Sequence, residues 1–187
     1  DKHLTIYVKD KQDALIVNKI LQVAHYPLER IKIVVLDGKK KIVQTIKGLD
    51  NSTECQRHAV LVDLDAYTVK DAEARAQKQL GHPNIPVFCA VPTVEAWLFA
   101  DHRAAVRYSH SDCGRKLVER LPLPEEIPHP KPLASIAFGR GETMLKVLDE
   151  IDIHLAAARS PSLRVFLEGV GKLLQLDAIP ASEAYGR

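Results

Sequence analysis

Four short apolar segments rich in β-branched residues recur along the first half of the chain, and they do most to limit its fold. The segments are LTIYV (4–8), IKIVVLD (31–37), HAVLVDL (58–64) and PVFCAV (86–91). Strands that are apolar nearly throughout and alternate with helices are typical of a parallel sheet covered on both faces. The sequence therefore predicts an α/β fold with a mostly parallel four-stranded sheet flanked by helices.

The segments between the predicted strands have helical patterns. Ala14, Val17, Leu21 and Ala24 recur at helical spacing, and Asp10 stands where an N-cap is expected. Further helices are predicted at residues 42–49, in KDAEARAQKQL (70–80) and in TVEAWLFADHRAAVRY (93–108).

After residue 108 the sequence becomes rich in proline. LPLPEEIPHPKPL (121–133) is expected to be an ordered loop, because each proline removes a hydrogen-bond donor and fixes φ. Two helices should follow, one in residues 142–158 with a break near Asp152 and one that begins with Ser160 as N-cap and Pro161 in its first turn. We expect an α/β core over 1–108, with a connection and C-terminal helices over 109–187 packed on it within one domain.

Composition limits the class of protein. With 46% hydrophobic and 27% charged residues the chain is globular, its apolar runs are too short to cross a bilayer, and no basic-then-apolar leader opens it. Cys55, Cys89 and Cys113 form no CxxC pair, so we expect a reduced, soluble, cytoplasmic protein. Residues 1–50 hold ten Lys and Arg against six acids, which indicates either a solvated basic face or an edge that faces phosphates.

Two carboxylates end the third predicted strand. Asp63 and Asp65 lie two residues apart, and side chains at that spacing share one face of a strand about 6–7 Å from each other. They would repel each other unless a positive charge lay nearby. In open α/β sheets, ligands bind beyond the carboxyl ends of the strands. The pair therefore predicts a site for Mg²⁺ or Mn²⁺, hard cations that prefer oxygen ligands.

This order of strands and helices, with a strand that ends in Asp-x-Asp, resembles the Toprim fold of topoisomerases, primases and OLD-type nucleases. The family pattern V-E-G-K-x-D-A aligns with residues 8–14, and its Asp-x-Asp aligns with Asp63 and Asp65. The segments VPTVEAWLFAD (91–101) and SPSLRVF (160–166) are similar to segments of small Toprim-like proteins from bacterial and phage-defence loci.

The sequence departs from the family at one site position, because Lys9 stands where the family has its glutamate. A lysine ammonium cannot serve as a metal ligand or a general base at neutral pH. Three interpretations follow. Asp10 could take over the role, Lys9 could itself pair with Asp63 and Asp65 in place of a metal, or the chain could be an inactivated form. We favour a family-type site that Lys9 weakens.

Other side chains are candidates for the same site. Glu95 lies in the first turn of the fourth predicted helix, where an acid complements the helix dipole, and the resemblance also implies a role as metal ligand. Lys131, Arg140 and Arg164 are candidates for phosphate binding, although such residues, taken singly, are more often surface or ion-pair residues. Trp97 and Phe99 are expected to pack in the core.

The resemblance implies a Mg²⁺- or Mn²⁺-dependent nuclease of the OLD type, from a bacterial defence or mobile-element system. Its metal ligands would be Asp63, Asp65 and Glu95, and its catalytic residues Lys9, Asp10, Asp63, Asp65 and Glu95. Its partners would be nucleic acid, DNA rather than RNA, and an ATPase, and a homo-oligomer is a further option. The alternatives are a non-catalytic binding or sensor subunit and a nucleotide-binding α/β domain unrelated to Toprim. The latter is disfavoured because the chain has no Gly-rich phosphate loop.

Overall fold

The computed structural model describes residues 3–37, 40–41, 44–45, 48–49, 56–64 and 85–176. In these residues a sheet of four parallel strands has the order β2-β1-β3-β4. The strands are β1 (His3–Val8), β2 (Ile31–Val35), β3 (Gln56–Asp63) and β4 (Val87–Ala90). The predicted parallel sheet is confirmed.

The chain reverses the direction in which it adds strands between β1 and β3. After β1 the chain forms β2 on one side, and it then returns to form β3 on the other side, with Ile6 paired to both Ile33 and Ala59. In doubly wound sheets this switch point leaves a crevice at the carboxyl ends of the two central strands, where ligands bind. The residues that end β1 and β3 are therefore the ones to examine for a site.

Both faces of the sheet are apolar. On one face, Ile6, Leu61 and Ala90 are buried in one core with side chains of helix α1 (Lys11–Val23) and of the C-terminal helices. On the other face, Tyr7 and Val60 form a second buried cluster. Asp10 caps α1 as predicted, because its side chain accepts a hydrogen bond from the backbone of Asp13. The predicted helix at 70–80 and half of the one at 42–49 lie outside the described residues.

The predicted fourth helix is wrong as a single element. Residues Val94–Phe99 form a 3-10 helix, and a separate α-helix, α2, covers His102–Arg107. Asp101 divides them, since its buried carboxylate accepts hydrogen bonds from the backbone N–H of Ala104 at 3.2 Å and of Asp152 at 2.8 Å. The periodicity of apolar residues does not predict this break, because it depends on a polar side chain that bonds both a new helix and a distant segment.

The C-terminal part is more helical than expected. Helix α3 (Asp112–Glu119) precedes the proline-rich segment, and α4 (Pro130–Phe138) begins inside it. Proline is tolerated there because the first turn of a helix has no intrahelical partner for its N–H groups. The predicted loop at 121–133 is therefore wrong for its last residues, because α4 begins at Pro130 with His129 as its N-cap.

The remaining elements follow the predicted order. They are α5 (Glu142–Leu145), α6 (Ile153–Arg159) and α7 (Pro161–Leu173), with short 3-10 helices at Leu28–Arg30, Pro124–Glu126 and Lys146–Leu148. The predicted break near Asp152 and the predicted Ser160 cap are both confirmed, because these two side chains accept hydrogen bonds from the first turns of α6 and α7. None of the helices within the described ranges is both long and apolar enough to cross a membrane.

Helix α7 packs closely against β4 and the 3-10 helix at 94–99. Trp97 is fully buried, as expected, and its Nε1 donates to Ser162 Oγ at 3.0 Å while its ring lies 5.3 Å from that of Phe166. Phe88 meets the edge of Phe166 and lies over Gly169. These contacts bury the start of α7 against the sheet edge.

We expect Gly169→Ala to destabilise the protein. A Cβ at this position would lie 2.2 Å from the ring of Phe88, which Phe166 holds in place, and overpacking of this kind costs about 1–3 kcal/mol. Gly171→Ala is the matched control, since its Cβ would meet nothing closer than the Tyr26 hydroxyl at 3.7 Å. Urea unfolding should show a lower free energy of unfolding only for Gly169→Ala. Equal stability of the two variants would contradict the described packing.

Candidate active site

Lys9 and Asp63 meet at the switch point of the sheet. Lys9 directly follows β1 and Asp63 ends β3, so parallel pairing brings both to the end of the sheet where the strands terminate, which we call the rim. Lys9 Nζ forms an ion pair with Asp63 Oδ2 and lies 3.7 Å from Asp13 Oδ2. Lys9 is partly exposed, whereas Asp13 is buried. One ammonium group therefore lies between two carboxylates that belong to different elements.

Asp13 is a site residue that the sequence reasoning did not single out. It lies in the first turn of α1, and its backbone N–H donates to Asp10 Oδ1 at 2.8 Å. The signal was present, because Asp13 occupies the aspartate position of the aligned V-E-G-K-x-D-A pattern. The cap contact also defines what Asp10 does in this structure: its carboxylate holds the N-terminus of α1.

The electrostatic surroundings of Asp13 connect most of the candidate residues. Burial raises the pKa of Asp13 to about 7, against the lowering effect of Lys9. The nearby charges of Asp10 and Glu95 raise this pKa further, and that of Lys131 lowers it. Interactions of this kind act over short distances inside a protein. The charges that act on Asp13 are therefore those of Asp10, Glu95, Lys9 and Lys131. We call Asp10, Asp13, Asp63 and Glu95 the acidic cluster.

Glu95 enters the site from the 3-10 helix at 94–99, where it occupies the first turn as predicted. Its side chain is fully buried, and its Oε2 accepts a hydrogen bond from Gln12 Nε2 at 2.6 Å. Gln12 is a second residue that sequence reasoning missed. Nothing in the composition or spacing identifies a glutamine as the partner of a carboxylate 83 positions away.

Several buried oxygens at this rim have no hydrogen-bond partner. They are Asp13 Oδ1, Asp63 Oδ1, Glu95 Oε1 and Thr93 Oγ1. Buried polar atoms are nearly always satisfied, so unpaired ones suggest a water or an ion. Unpaired carboxylate and hydroxyl oxygens also match the ligand preference of Mg²⁺ and Mn²⁺.

The described carboxylates do not by themselves form a finished metal site. Within residues 3–37, 56–64 and 85–176, no three His, Cys, Asp or Glu side chains are arranged to hold one ion. Asp65, predicted as a ligand together with Asp63, lies outside the described residues. The carboxylate and hydroxyl oxygens present therefore suit a divalent cation. Of the three predicted ligands, only Asp63 and Glu95 lie within the described residues.

The three candidates for phosphate binding differ in position. Lys131 lies in the first turn of α4, close enough to the acidic cluster to affect Asp13. Arg140 lies in the turn between α4 and α5, where Gly139 and Gly141 both have positive φ, and Arg164 lies on the exposed side of α7. Among the contacts of the described residues, none joins either arginine to the acidic cluster.

We expect Asp13 to make the folded state less stable as pH rises. Its pKa is about 7 in the folded chain and 3.8 for the ordinary group, so the folded state binds this proton more tightly. Its stabilising contribution is therefore complete below pH 3.8 and is lost as pH rises to about 7, a few kcal/mol in size.

The isosteric Asp13→Asn variant tests this in EDTA. The thermal midpoint of the variant minus that of the parent chain should increase from pH 4 to pH 7 and then level off, because only the parent loses stability as Asp13 ionises. The exposed Asp112→Asn variant is the control and should change far less over this range. A midpoint difference for Asp13→Asn that stays constant or falls with pH would contradict the described environment.

Three solved structures with a similar architecture are C-terminal regions of OLD proteins. The C-terminal region of the Burkholderia pseudomallei OLD protein is 16% identical, with 87% of this chain and 91% of that chain covered at a TM-score of 0.53. Two structures of the C-terminal region of the Xanthomonas campestris pv. campestris OLD protein are 14% and 16% identical, with TM-scores of 0.54 and 0.51. They cover 87% and 100% of this chain and 94% and 98% of their own.

No protein-family model and no curated protein matches the sequence. At identities of 14–16% the structural similarity bears on the fold, and it agrees with the four-stranded parallel sheet and the C-terminal helices described above. The chain therefore has the Toprim-like fold found in the C-terminal region of OLD proteins.

Proposed function

We propose that this chain hydrolyses phosphodiester bonds of nucleic acid with the help of Mg²⁺ or Mn²⁺, as a nuclease domain of the OLD type. The observation that supports this most is the set of buried carboxylate oxygens without partners at the switch point, on Asp13, Asp63 and Glu95. The structural similarity to C-terminal regions of OLD proteins points in the same direction.

The charges at the rim favour a divalent cation. Asp10, Asp13, Asp63 and Glu95 carry four negative charges when ionised, and Lys9 and Lys131 carry two positive ones. The difference, four minus two, leaves an excess of two negative charges in a partly buried cluster once Asp13 is ionised, above its pKa of about 7. Buried charges without compensation are costly, and one divalent ion would neutralise this excess.

Each residue then has a separate task. Asp65, outside the described residues, would have to join Asp63, Glu95 and Asp13 in holding the cation, because no three of the described side chains are arranged to hold it by themselves. A cation held there would polarise the phosphate and would lower the pKa of a bound water. Lys131 would stabilise the negative charge that develops on the phosphate oxygens, whereas Lys9, paired with Asp63, would compete with the cation. Asp10 would hold the start of α1 in place through its cap. Arg140 and Arg164 would bind phosphates further along the nucleic acid.

The wider setting is proposed from the same similarity. The substrate would be DNA rather than RNA, in the cytoplasm, in a bacterial defence or mobile-element system. The solved relatives are described as C-terminal regions of longer proteins, so we propose that this chain also acts with a further unit, an ATPase. A homo-oligomer is compatible with this arrangement.

A second candidate function follows from the ion pair between Lys9 and Asp63. If the ammonium of Lys9 replaces the cation altogether, the chain is a non-catalytic Toprim-like subunit that binds nucleic acid or senses the state of a partner. Both candidates use the same fold and the same rim. They differ in whether a divalent ion binds there.

We expect Lys9→Glu to increase cleavage of plasmid DNA in the presence of Mn²⁺. The change removes the ammonium that pairs with Asp63 and adds a carboxylate next to it, which favours metal binding over an ion pair. Lys11→Glu is the matched control, since it makes the same charge change at an exposed position of α1. Gel electrophoresis of the plasmid products measures the rate. Absence of cleavage by both the parent chain and Lys9→Glu would contradict the enzymatic function.

We also expect Mn²⁺ to raise the thermal midpoint of the parent chain relative to EDTA. A ligand that binds only the folded state stabilises it by about 2.7 kcal/mol at a concentration one hundred times its Kd. Differential scanning fluorimetry measures the midpoint in samples that contain either EDTA or Mn²⁺ at equal ionic strength. An unchanged midpoint would contradict the first candidate and favour the non-catalytic subunit.

A further inference from the structure

The side-chain amide of Gln12 links α1 to the carboxylate of Glu95. Gln12 is half-buried at the start of α1, and Glu95 is fully buried in the 3-10 helix at 94–99. Gln12 Nε2 donates to Glu95 Oε2 at 2.6 Å. Within the described residues this is the hydrogen bond that the Glu95 side chain makes, and its other oxygen, Oε1, has no partner.

The two donors at this rim treat their carboxylates differently. The ammonium of Lys9 pairs with the carboxylate of Asp63, whereas the neutral amide of Gln12 satisfies one oxygen of Glu95 and brings no positive charge to it. A buried carboxylate that keeps its charge needs a cation nearby. The unpaired Glu95 Oε1 and the unpaired Asp13 Oδ1 are buried oxygens that could act as ligands for a cation on this side of the cluster.

Helix α1 positions the carboxylates of both Asp13 and Glu95. Asp13 is part of its first turn, and the preceding residue, Gln12, contacts Glu95. The Asp10 cap holds this turn, since Asp10 Oδ1 accepts from the Asp13 N–H. One helix start therefore sets the position of Asp13 directly and that of Glu95 through a hydrogen bond.

We propose that Gln12 is a positioning residue that orients Glu95 so that Oε1 faces a divalent cation on the Asp13–Glu95 side of the cluster. The inference rests on the cation of the proposed function. Groups that hydrogen-bond a metal ligand fix its orientation, and their loss lowers metal affinity about 10–100-fold. Gln12 meets this description, because a neutral donor holds the ligand without competing for its charge.

The test is the Kd for Mn²⁺, measured by isothermal titration calorimetry on the full chain and two variants. Gln12→Met removes the donor while keeping an unbranched side chain of similar size, and we expect it to weaken Mn²⁺ binding about 10–100-fold. Gln22→Met makes the same change at an exposed position of the same helix and should leave the Kd unchanged. In a Glu95→Gln background, adding Gln12→Met should weaken Mn²⁺ binding no further, because Gln12 acts through Glu95.

The outcomes separate this inference from the proposed function. An unchanged Kd for Gln12→Met overturns the positioning role and leaves a metal-dependent function standing. The same loss of affinity in the Glu95→Gln background also overturns it, since Gln12 would then act by another route. Weakened binding in Gln12→Met, together with no DNA cleavage by the parent chain, supports the positioning role and contradicts the nuclease. Thermal midpoints in EDTA verify folding, and Gln12→Asn, whose shorter amide withdraws the donor, replaces Gln12→Met if that variant does not fold.

Discussion

The ion pair between Lys9 and Asp63 is the interaction on which the rim of the sheet depends. It joins the carboxyl ends of the two central strands, and it places an ammonium beside the buried Asp13. Without this charge, two carboxylates from separate elements would face each other in a partly buried crevice, where like charges repel strongly. Lys9 therefore reduces the repulsion between Asp13 and Asp63 in the free chain. It also competes with any cation that binds there.

The rest of the fold holds this rim in place. The parallel sheet brings Lys9 and Asp63 to one edge, and α1 presents Asp13 and Gln12 from one turn. Glu95 is carried by the 3-10 helix at 94–99, and Trp97 of the same helix donates a hydrogen bond to Ser162 in α7. The C-terminal helices thus contribute to the site through packing, because they fix the segment that carries Glu95.

The amino-acid sequence predicts the elements whose signals are local. The apolar strand segments, the Asp10 and Ser160 caps and the core position of Trp97 all follow from pattern and side-chain chemistry. The break at Asp101 does not, because it depends on a hydrogen bond to Asp152, which is 51 residues away. Gln12 was missed for the same reason, since its role exists only once Glu95 is folded against it. Asp65 stays a prediction, because it lies outside the described residues.

The central claim is that a divalent cation binds this rim even though Lys9 occupies part of it. The most direct measurement is the anomalous difference density of a crystal of the chain soaked in Mn²⁺. We predict a peak within coordination distance of Asp13 Oδ1 and Glu95 Oε1, with Lys9 still paired to Asp63. A well-ordered rim with no peak, or a peak bound elsewhere on the molecule, would contradict the claim.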